Sequence, residues 1–378
     1  MDLFEYQGKQ YFARYDIPVS PGGPADTVDE AVKEANQAGY PVVVKAQVQV
    51  GGRGKAGGIK LADTEAEVRE HAAAILGMDI KGHVVKRVWV EAASDIDEEY
   101  YASFTLDRAA KKHLLMLSAE GGVEIETVAE TNPDAIVKLH IDPVDGLDSA
   151  TARQACVGAK LPDRALDGAA DILVKLYRCF TEGDCDLAEI NPLILKPTGE
   201  VHALDAKVTL DDSALFRHPE WEVFGATQEL DEREMMAKEK GLQYIGLDGD
   251  VGIIANGAGL AMSTLDVVNQ VGGSDIGGGA NADVMAGALE VINFDDNVTS
   301  ILINIFGGIT RGDEVAKGIV EAMGRVDLRA PIVIRLDGTN ATEGRLILEN
   351  AGIPEDELRS EPTMLDAARA AVSIANEN

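Results

Sequence analysis

The chain has 378 residues, with 65 Asp and Glu against 34 Lys and Arg and a formal charge of −31, a balance that argues against nucleic acid or an anionic membrane as a partner. A composition 46% hydrophobic and only 5% aromatic argues against disorder and a β-sandwich, and for a globular α/β protein of two or three domains. No apolar run approaches the ~18 residues that span a bilayer, and the N-terminus lacks a charged-then-apolar leader, so a cytoplasmic protein is expected.

Cys156, Cys179 and Cys185 form no CxxC pair and have no nearby His at metal-ligand spacing, which fits a reducing compartment and no zinc site. The acids are spread along the chain rather than gathered in a tail. That distribution predicts a protein kept solvated in concentrated salt, from a halophilic host.

In chain order, helical periodicity appears at 5–15, 27–38, 64–76 and 168–180. Strands are predicted at 41–48, 86–92, 100–106 and 113–118. Between the second and third helices, residues 35–62 run for 28 positions without Asp or Glu, where an average stretch would hold about five. This segment carries Lys45, Arg53, Lys55 and Lys60 and the loop Gly51-Gly52-Arg53-Gly54-Lys55-Ala56-Gly57-Gly58. An island of positive charge and bare amides in so acidic a molecule is where an anion can sit. The blander reading is a flexible loop after a strand.

Residues 186–208 read as a hairpin turning near Thr198. That register sets Asn191 opposite Asp205 and Glu189 opposite Lys207 on one face, with Ile190, Ile194, Leu204 and Val208 on the other. A solvated face with a cross-strand ion pair would look the same. An acidic, helical connector follows at 228–240.

Beyond it, 251–255, 301–306 and 332–336 are short continuous β-rich runs. Each ends in a loop that opens a helix: Asn256-Gly257-Ala258-Gly259, Gly307-Gly308-Ile309-Thr310 and Asp337-Gly338-Thr339-Asn340. Strand, glycine turn and helix in repetition predict a parallel sheet covered on both faces, with ligands at the carboxyl ends of its strands. Acids are absent from 251–265 and 297–312, which suggests a second anion site against two helix N-termini.

A nucleotide phosphate needs a cation, flexible amides and a metal. Lys45 can neutralise phosphate oxygens and Gly52-Arg53-Gly54 can fold over them. Asn191 and Asp205 offer two hard oxygens for Mg²⁺, phosphates and waters filling the other positions. The segment 91–94 can present backbone edges to a base, and Glu99 can accept ribose hydroxyls. There is no GxxxxGK[ST] and no convincing GxGxxG.

The blocks Glu5-Tyr6-Gln7 with Lys9, Val44-Lys45-Ala46-Gln47 before the glycine loop, VEAASDI, SAEGGVEIE, EINPL, LDAK and ALFRHPE resemble the ATP-grasp half of a succinate–CoA ligase β subunit. The blocks LDGDVG, ANGAGLAMSTLD, IGGGA and NIFGGITRGD resemble its second half, so the resemblance covers the whole chain in order. It implies an ATP-grasp domain over 1–229 and a flavodoxin-like parallel-sheet domain over 230–378. It also implies that Lys45, Gly52, Arg53, Gly54, Glu91, Ser94 and Glu99 contact ATP, and that Asn191 and Asp205 hold one Mg²⁺. Asn256, Gly308, Ile309 and Thr310 would contact the organic acid, and Glu189 would meet a phosphorylated histidine.

In such enzymes phosphate passes from ATP to a histidine and to succinate, giving an acyl phosphate that the CoA thiol attacks. None of the six histidines, His71, His83, His113, His140, His202 and His218, lies in a glycine-rich turn opening a helix. The resemblance places the phosphohistidine and the CoA site on a separate α subunit, in an αβ or α2β2 assembly. Three departures stand out. Only Ser274-Asp275-Ile276 separate Gly273 from the triple glycine, which is expected to remove part of a strand. Ser94 stands where Thr is expected, and Thr310 and Gly312 where Val and Cys are, which bears on acid preference. Other readings are a malate–CoA ligase β subunit, a nucleotide-binding subunit without turnover, and a self-sufficient carboxylate–amine ligase, which the second half disfavours.

Overall fold

Val42, Val44, Ala46, Val88 and Val90 are all fully buried. The two short runs that carry them pair antiparallel, Val42 with Ala92 and Ala46 with Val88. The computed structural model describes residues 1–225, 232–247, 249–273, 275–279 and 285–377. They divide into two compact units, Met1–Gln228 and Glu229–Asn378. The junction expected at 229/230 and the start of the connector fall outside the described residues.

The first unit holds two main sheets. One has four antiparallel strands in the order Gly22–Ala25, Val88–Ala92, Val42–Ala46 and Ile59–Ala62. The helices Val28–Ala38 and Glu65–Ile75 close its apolar face with Ala31, Val32, Ala35, Val68, Ala72 and Ile75. Thr27 and Thr64 cap them, each accepting a hydrogen bond from an amide three residues on, and Glu67 reciprocates in a capping box.

The other sheet runs Val201–Ala203, Cys185–Leu195, Glu98–Asp107, Lys112–Ser118 and Ile136–Ile141, with Lys207–Leu210 also paired to Cys185–Leu195. The helix Asp163–Glu182 lies in its core. It starts five residues before the expected 168. Gly168 lies inside it, where a Cβ would come 2.9 Å from Val201 Cγ2, so the glycine permits close approach to the hairpin.

The second unit is a six-stranded sheet ordered Gln243–Ile245, Asp275–Gly279, Val251–Ala255, Ser300–Gly307, Ile332–Gly338 and Leu358–Ser360. All neighbours are parallel except the first pair. Ala258–Gln270 and Met364–Glu377 supply the core on one face. Met285–Asn293, Gly312–Met323 and Ala341–Asn350 supply it on the other. The runs at 251–255, 301–306 and 332–336 are strands as expected. The shortened segment keeps its strand, because Asp275–Gly279 pairs along its whole length with Val251–Ala255. Asp275 and Ile276, two of the three residues before the triple glycine, are therefore strand rather than linker, while Ser274 lies outside the described residues.

Candidate functional site

In the first unit the acid-free segment meets acids from elsewhere. Lys45 is the penultimate residue of the strand Val42–Ala46, and its Nζ lies 2.9 Å from Glu5 Oε1 and 2.6 Å from Glu91 Oε1. It also donates to the Leu204 carbonyl at 3.1 Å. Arg53 pairs with Glu5 and, at 2.9 Å, with Asp205 Oδ2, and it donates to the Ala46 carbonyl at 3.2 Å. Lys9, on the first helix (Glu5–Ala13), pairs with Glu5 at 3.0 Å and with Glu91. Glu91 also accepts from Trp89 Nε1 at 2.7 Å.

Three cations and three carboxylates therefore share one cluster, buried except for the half-buried Arg53 and Asp205, so the expected island of free positive charge is corrected. Acids missing along the chain return in space, through the helix at 5–13, the strand at 88–92 and the hairpin. Burial opposes ionisation of Glu5, yet Arg53, Lys45 and Lys9 hold its carboxyl well below the usual range. Glu91 is lowered in the same way by Lys45 and Lys9. Burial works against the charge on Lys45, and Glu5 and Glu91 outweigh it, so this ammonium stays protonated.

The glycine loop is a run of turns. Ala56 donates to the Gly52 carbonyl at 3.1 Å, Gly57 to Gly54 at 3.0 Å and Gly58 to Arg53 at 2.9 Å. The amides of residues 52–54 stay outside these turn hydrogen bonds. Gly52 has φ +85°, a conformation that side chains rarely adopt.

The hairpin has the expected register. Leu193 pairs with Ala203 and Glu189 with Lys207, so the same alignment holds on both sides of residues 204–206 and brings Asn191 opposite Asp205. The polar face is shorter than alternation alone suggests. Leu193 and Leu195 are buried along with Ile190, Ile194 and Val208, while Leu204 is half-buried. The register against the strand Glu98–Asp107 shifts between Ile190 and Leu193, which lets the strand turn from one apolar face to two.

Asn191 also shapes its surroundings: its Oδ1 accepts from the Gly122 amide and its Nδ2 donates to the Val123 carbonyl, both at 2.9 Å. Glu99 lies over the same turn, since a Cβ on Gly122 would fall 2.6 Å from Glu99 Oε2. Glu189 accepts from the Tyr101 hydroxyl at 2.8 Å, and burial pushes its carboxyl up from the usual range.

The segment 91–94 differs from expectation in one respect. The amides of Ala92 and Ala93 already donate to the carbonyls of Pro21 and Pro41, at 3.0 and 2.9 Å, so these two are not open edges for a base. Ser94 Oγ lies 3.4 Å from Ser20 Oγ, which is 2.9 Å from Nε2 of the buried His202. Sequence reasoning assigned no role to Glu5 or Lys9. Their i, i+4 spacing on one helix was the available signal.

In the second unit, the loops after Val251–Ala255 and Ser300–Gly307 leave neighbouring parallel strands at the same end. Asn256 joins them: its Nδ2 donates to the Phe306 carbonyl at 3.0 Å and its Oδ1 accepts the Phe306 amide at 2.9 Å. The Thr339 hydroxyl donates to the Gly308 carbonyl at 3.0 Å. The Thr339 carbonyl accepts the Gly312 amide at 2.8 Å, and its amide donates to Gly307 at 2.9 Å. Above this lashing Gly308 and Ile309 are exposed, Ile309 completely at 102%, and Thr310 is half-buried.

Residues 2–195 match an ATP-grasp domain family and residues 254–370 a CoA-ligase family. These matches define the class, an ATP-grasp unit followed by a CoA-ligase unit with a parallel sheet. A succinate–CoA ligase [ADP-forming] subunit beta from Rubrobacter xylanophilus is 49% identical over 383 residues, covering 100% of this chain and 99% of its own. One from Herpetosiphon aurantiacus is 51% identical, covering 100% of both. Among solved structures, ATP citrate lyase from Methanothrix soehngenii shares the fold, with a TM-score of 0.71 at 20% identity over 100% of this chain and 99% of that one. The chain belongs to the family of ADP-forming succinate–CoA ligase β subunits.

Proposed function

We propose that this chain is the nucleotide-binding half of a succinate–CoA ligase, which with an α subunit turns ATP, succinate and CoA into ADP, phosphate and succinyl-CoA. The observation that carries the reading is the convergence of Lys45 and the glycine-loop Arg53 on Glu5, with Asp205 paired to Arg53 and Asn191 opposite Asp205. Lys45, Gly52, Arg53, Gly54, Glu91, Ser94 and Glu99 form the nucleotide site. The Lys45 ammonium and Arg53 guanidinium face charge on the phosphates, where phosphoryl transfer depends on positioning and charge stabilisation.

Asn191 and Asp205 are hard oxygen donors on neighbouring segments, and Mg²⁺ suits such a pair when phosphates and waters complete its shell. Among the described residues no three His, Cys, Asp or Glu side chains would hold a metal by themselves. The ion, when bound, offsets charge on the phosphates. Glu189, half-buried beside Lys207, faces the partner's phosphohistidine during transfer. Asn256, Gly308, Ile309 and Thr310 form this chain's wall of the acid and acyl-phosphate site. The α subunit supplies the histidine and the CoA site.

The test is CoA-thiol consumption driven by ATP and Mg²⁺ in molar KCl, with succinate, malate and acetate, with and without the cognate α chain. Succinate-selective activity that needs the partner is the expected result. Malate selectivity would move the assignment to a malate–CoA ligase, and nucleotide binding without turnover in the complex would make this a non-catalytic subunit. Activity from this chain alone would overturn the division of labour. We place the enzyme in the cytoplasm and the tricarboxylic acid cycle, and the acidic composition supports a halophilic host, for which the melting temperature should rise between dilute and molar KCl. An unchanged melting temperature would remove that part of the reading.

A further inference from the structure

Two of the six clustered charges, Glu5 and Lys9, have no part in the nucleotide contacts just described, yet they are among the most buried. Glu5 is 4% and Lys9 1% exposed. Glu5 gathers donors from three segments: Lys9 at 3.0 Å, Lys45 at 2.9 Å, Gln47 Nε2 at 3.2 Å, and Arg53. Lys9 pairs with Glu5 on one side and Glu91 on the other. Buried ion pairs add little stability over apolar packing of the same volume, and the same helix also buries Tyr6, Gln7, Gly8, Tyr11 and Phe12, none of them charged. What these charges do to Lys45 and Arg53 therefore calls for a function.

Lys45 sits on a strand and Arg53 in a glycine loop, both with long side chains that lose rotamer freedom when they grip a ligand. One carboxylate touching both fixes the ammonium and guanidinium side by side before anything binds. Alone, that carboxylate would also cancel part of the charge it positions. Lys9 lies within ion-pairing distance of both Glu5 and Glu91, and offsets it. We propose that Glu5 is a positioning residue for the nucleotide phosphates, acting through Lys45 and Arg53, with Lys9 as the countercharge that keeps those cations attractive to an anion. The inference rests on the nucleotide reading above.

The experiment compares Glu5→Gln, Glu5→Asp and Lys9→Met with the unaltered chain, each assembled with the α subunit. It measures the ATP Kd by equilibrium dialysis, the KM for all three substrates and the melting temperature. Glu5→Gln should raise the ATP Kd and KM by about 10-fold or more while the KM for succinate and CoA stays within about two-fold. Lys9→Met should shift them the same way. Glu5→Asp keeps every charge but draws the carboxylate back by one methylene, and should recover part of the loss. Should Glu5→Gln fail to fold, Glu5→Asp and Lys9→Met decide. An ATP KM within two-fold of the unaltered complex in both would overturn the inference, as would a parallel rise of all three KM values with a lowered melting temperature. An unaltered complex that binds no ATP would overturn the nucleotide reading and this inference together, whereas normal binding with indifferent variants overturns this inference alone.

Discussion

The two anion sites proposed here, one in each unit, are built in opposite ways. In the first, side chains from residues 5, 9, 45, 53, 91 and 205 converge from distant parts of the sequence into a mostly buried cluster of equal opposite charges. In the second, backbone turns at the ends of adjacent parallel strands are tied together by Asn256 and Thr339, with little charge at the loop tips. One site is made of charge that must be balanced, and the other of geometry that must be held. The first should fail when a charge is removed at constant shape, the second when shape is changed at constant charge.

The largest expected effect is on charge. Asp205→Asn keeps the side chain's size but leaves Arg53 with Glu5 as its one carboxylate partner in the cluster, and it replaces the anionic member of the proposed metal pair with a neutral amide oxygen. Nucleotide-driven phosphorylation of the α subunit should fall on the order of 10³-fold while αβ assembly, followed by size-exclusion chromatography, is unchanged. Retained phosphorylation would sink the metal assignment.

The matching experiment on shape is Gly338→Ala. Gly338 has φ +85°, and a Cβ there would lie 2.1 Å from the Gly307 carbonyl oxygen. A loss of about 3 kcal/mol is expected in chemical denaturation of the second unit, with ATP affinity in the first untouched. A neutral result would mean that the strand ends are slack, and the contrast between the units would weaken.

A smaller effect sharpens the contrast within the first unit. His202 is buried, and desolvation, aided by Lys196 and Lys9, lowers its pKa to about 4. Below its unfolded pKa near 6.5 the unfolded chain takes up a proton that the folded chain refuses, so stability is full above that value and declines as pH falls toward 4. Between pH 7 and 5 this amounts to about 2 kcal/mol. His202→Gln should flatten that part of the stability profile; an unaltered slope would assign the pH dependence to other groups.

The same contrast explains what could be read from the sequence. The second unit was legible because strand, glycine turn and helix are local patterns, and the strands at 251–255, 301–306 and 332–336 lie where the β-rich runs predict them. The hairpin was legible too, since a short turn fixes register, and Glu189 faces Lys207 as expected. The charge cluster was only half legible. Lys45 and Arg53 stood out by the missing acids around them, but their partners Glu5, Glu91 and Asp205 arrive by tertiary pairing that no local pattern encodes. Nor did alternation reveal that Leu193 and Leu195 are buried, because the register shift between Ile190 and Leu193 appears only in the pairing with the strand Glu98–Asp107.

Ile309 stands fully exposed on a loop whose flanking backbone is stitched to the next strand's turn. It is an aliphatic knob on backbone that is tied down on either side. A partner surface that receives it need not wait for the loop to find its shape, and little ordering entropy is lost on docking. Its capture should then proceed at a rate set by diffusion and orientation, and the knob's removal should show mainly in how fast the complex falls apart.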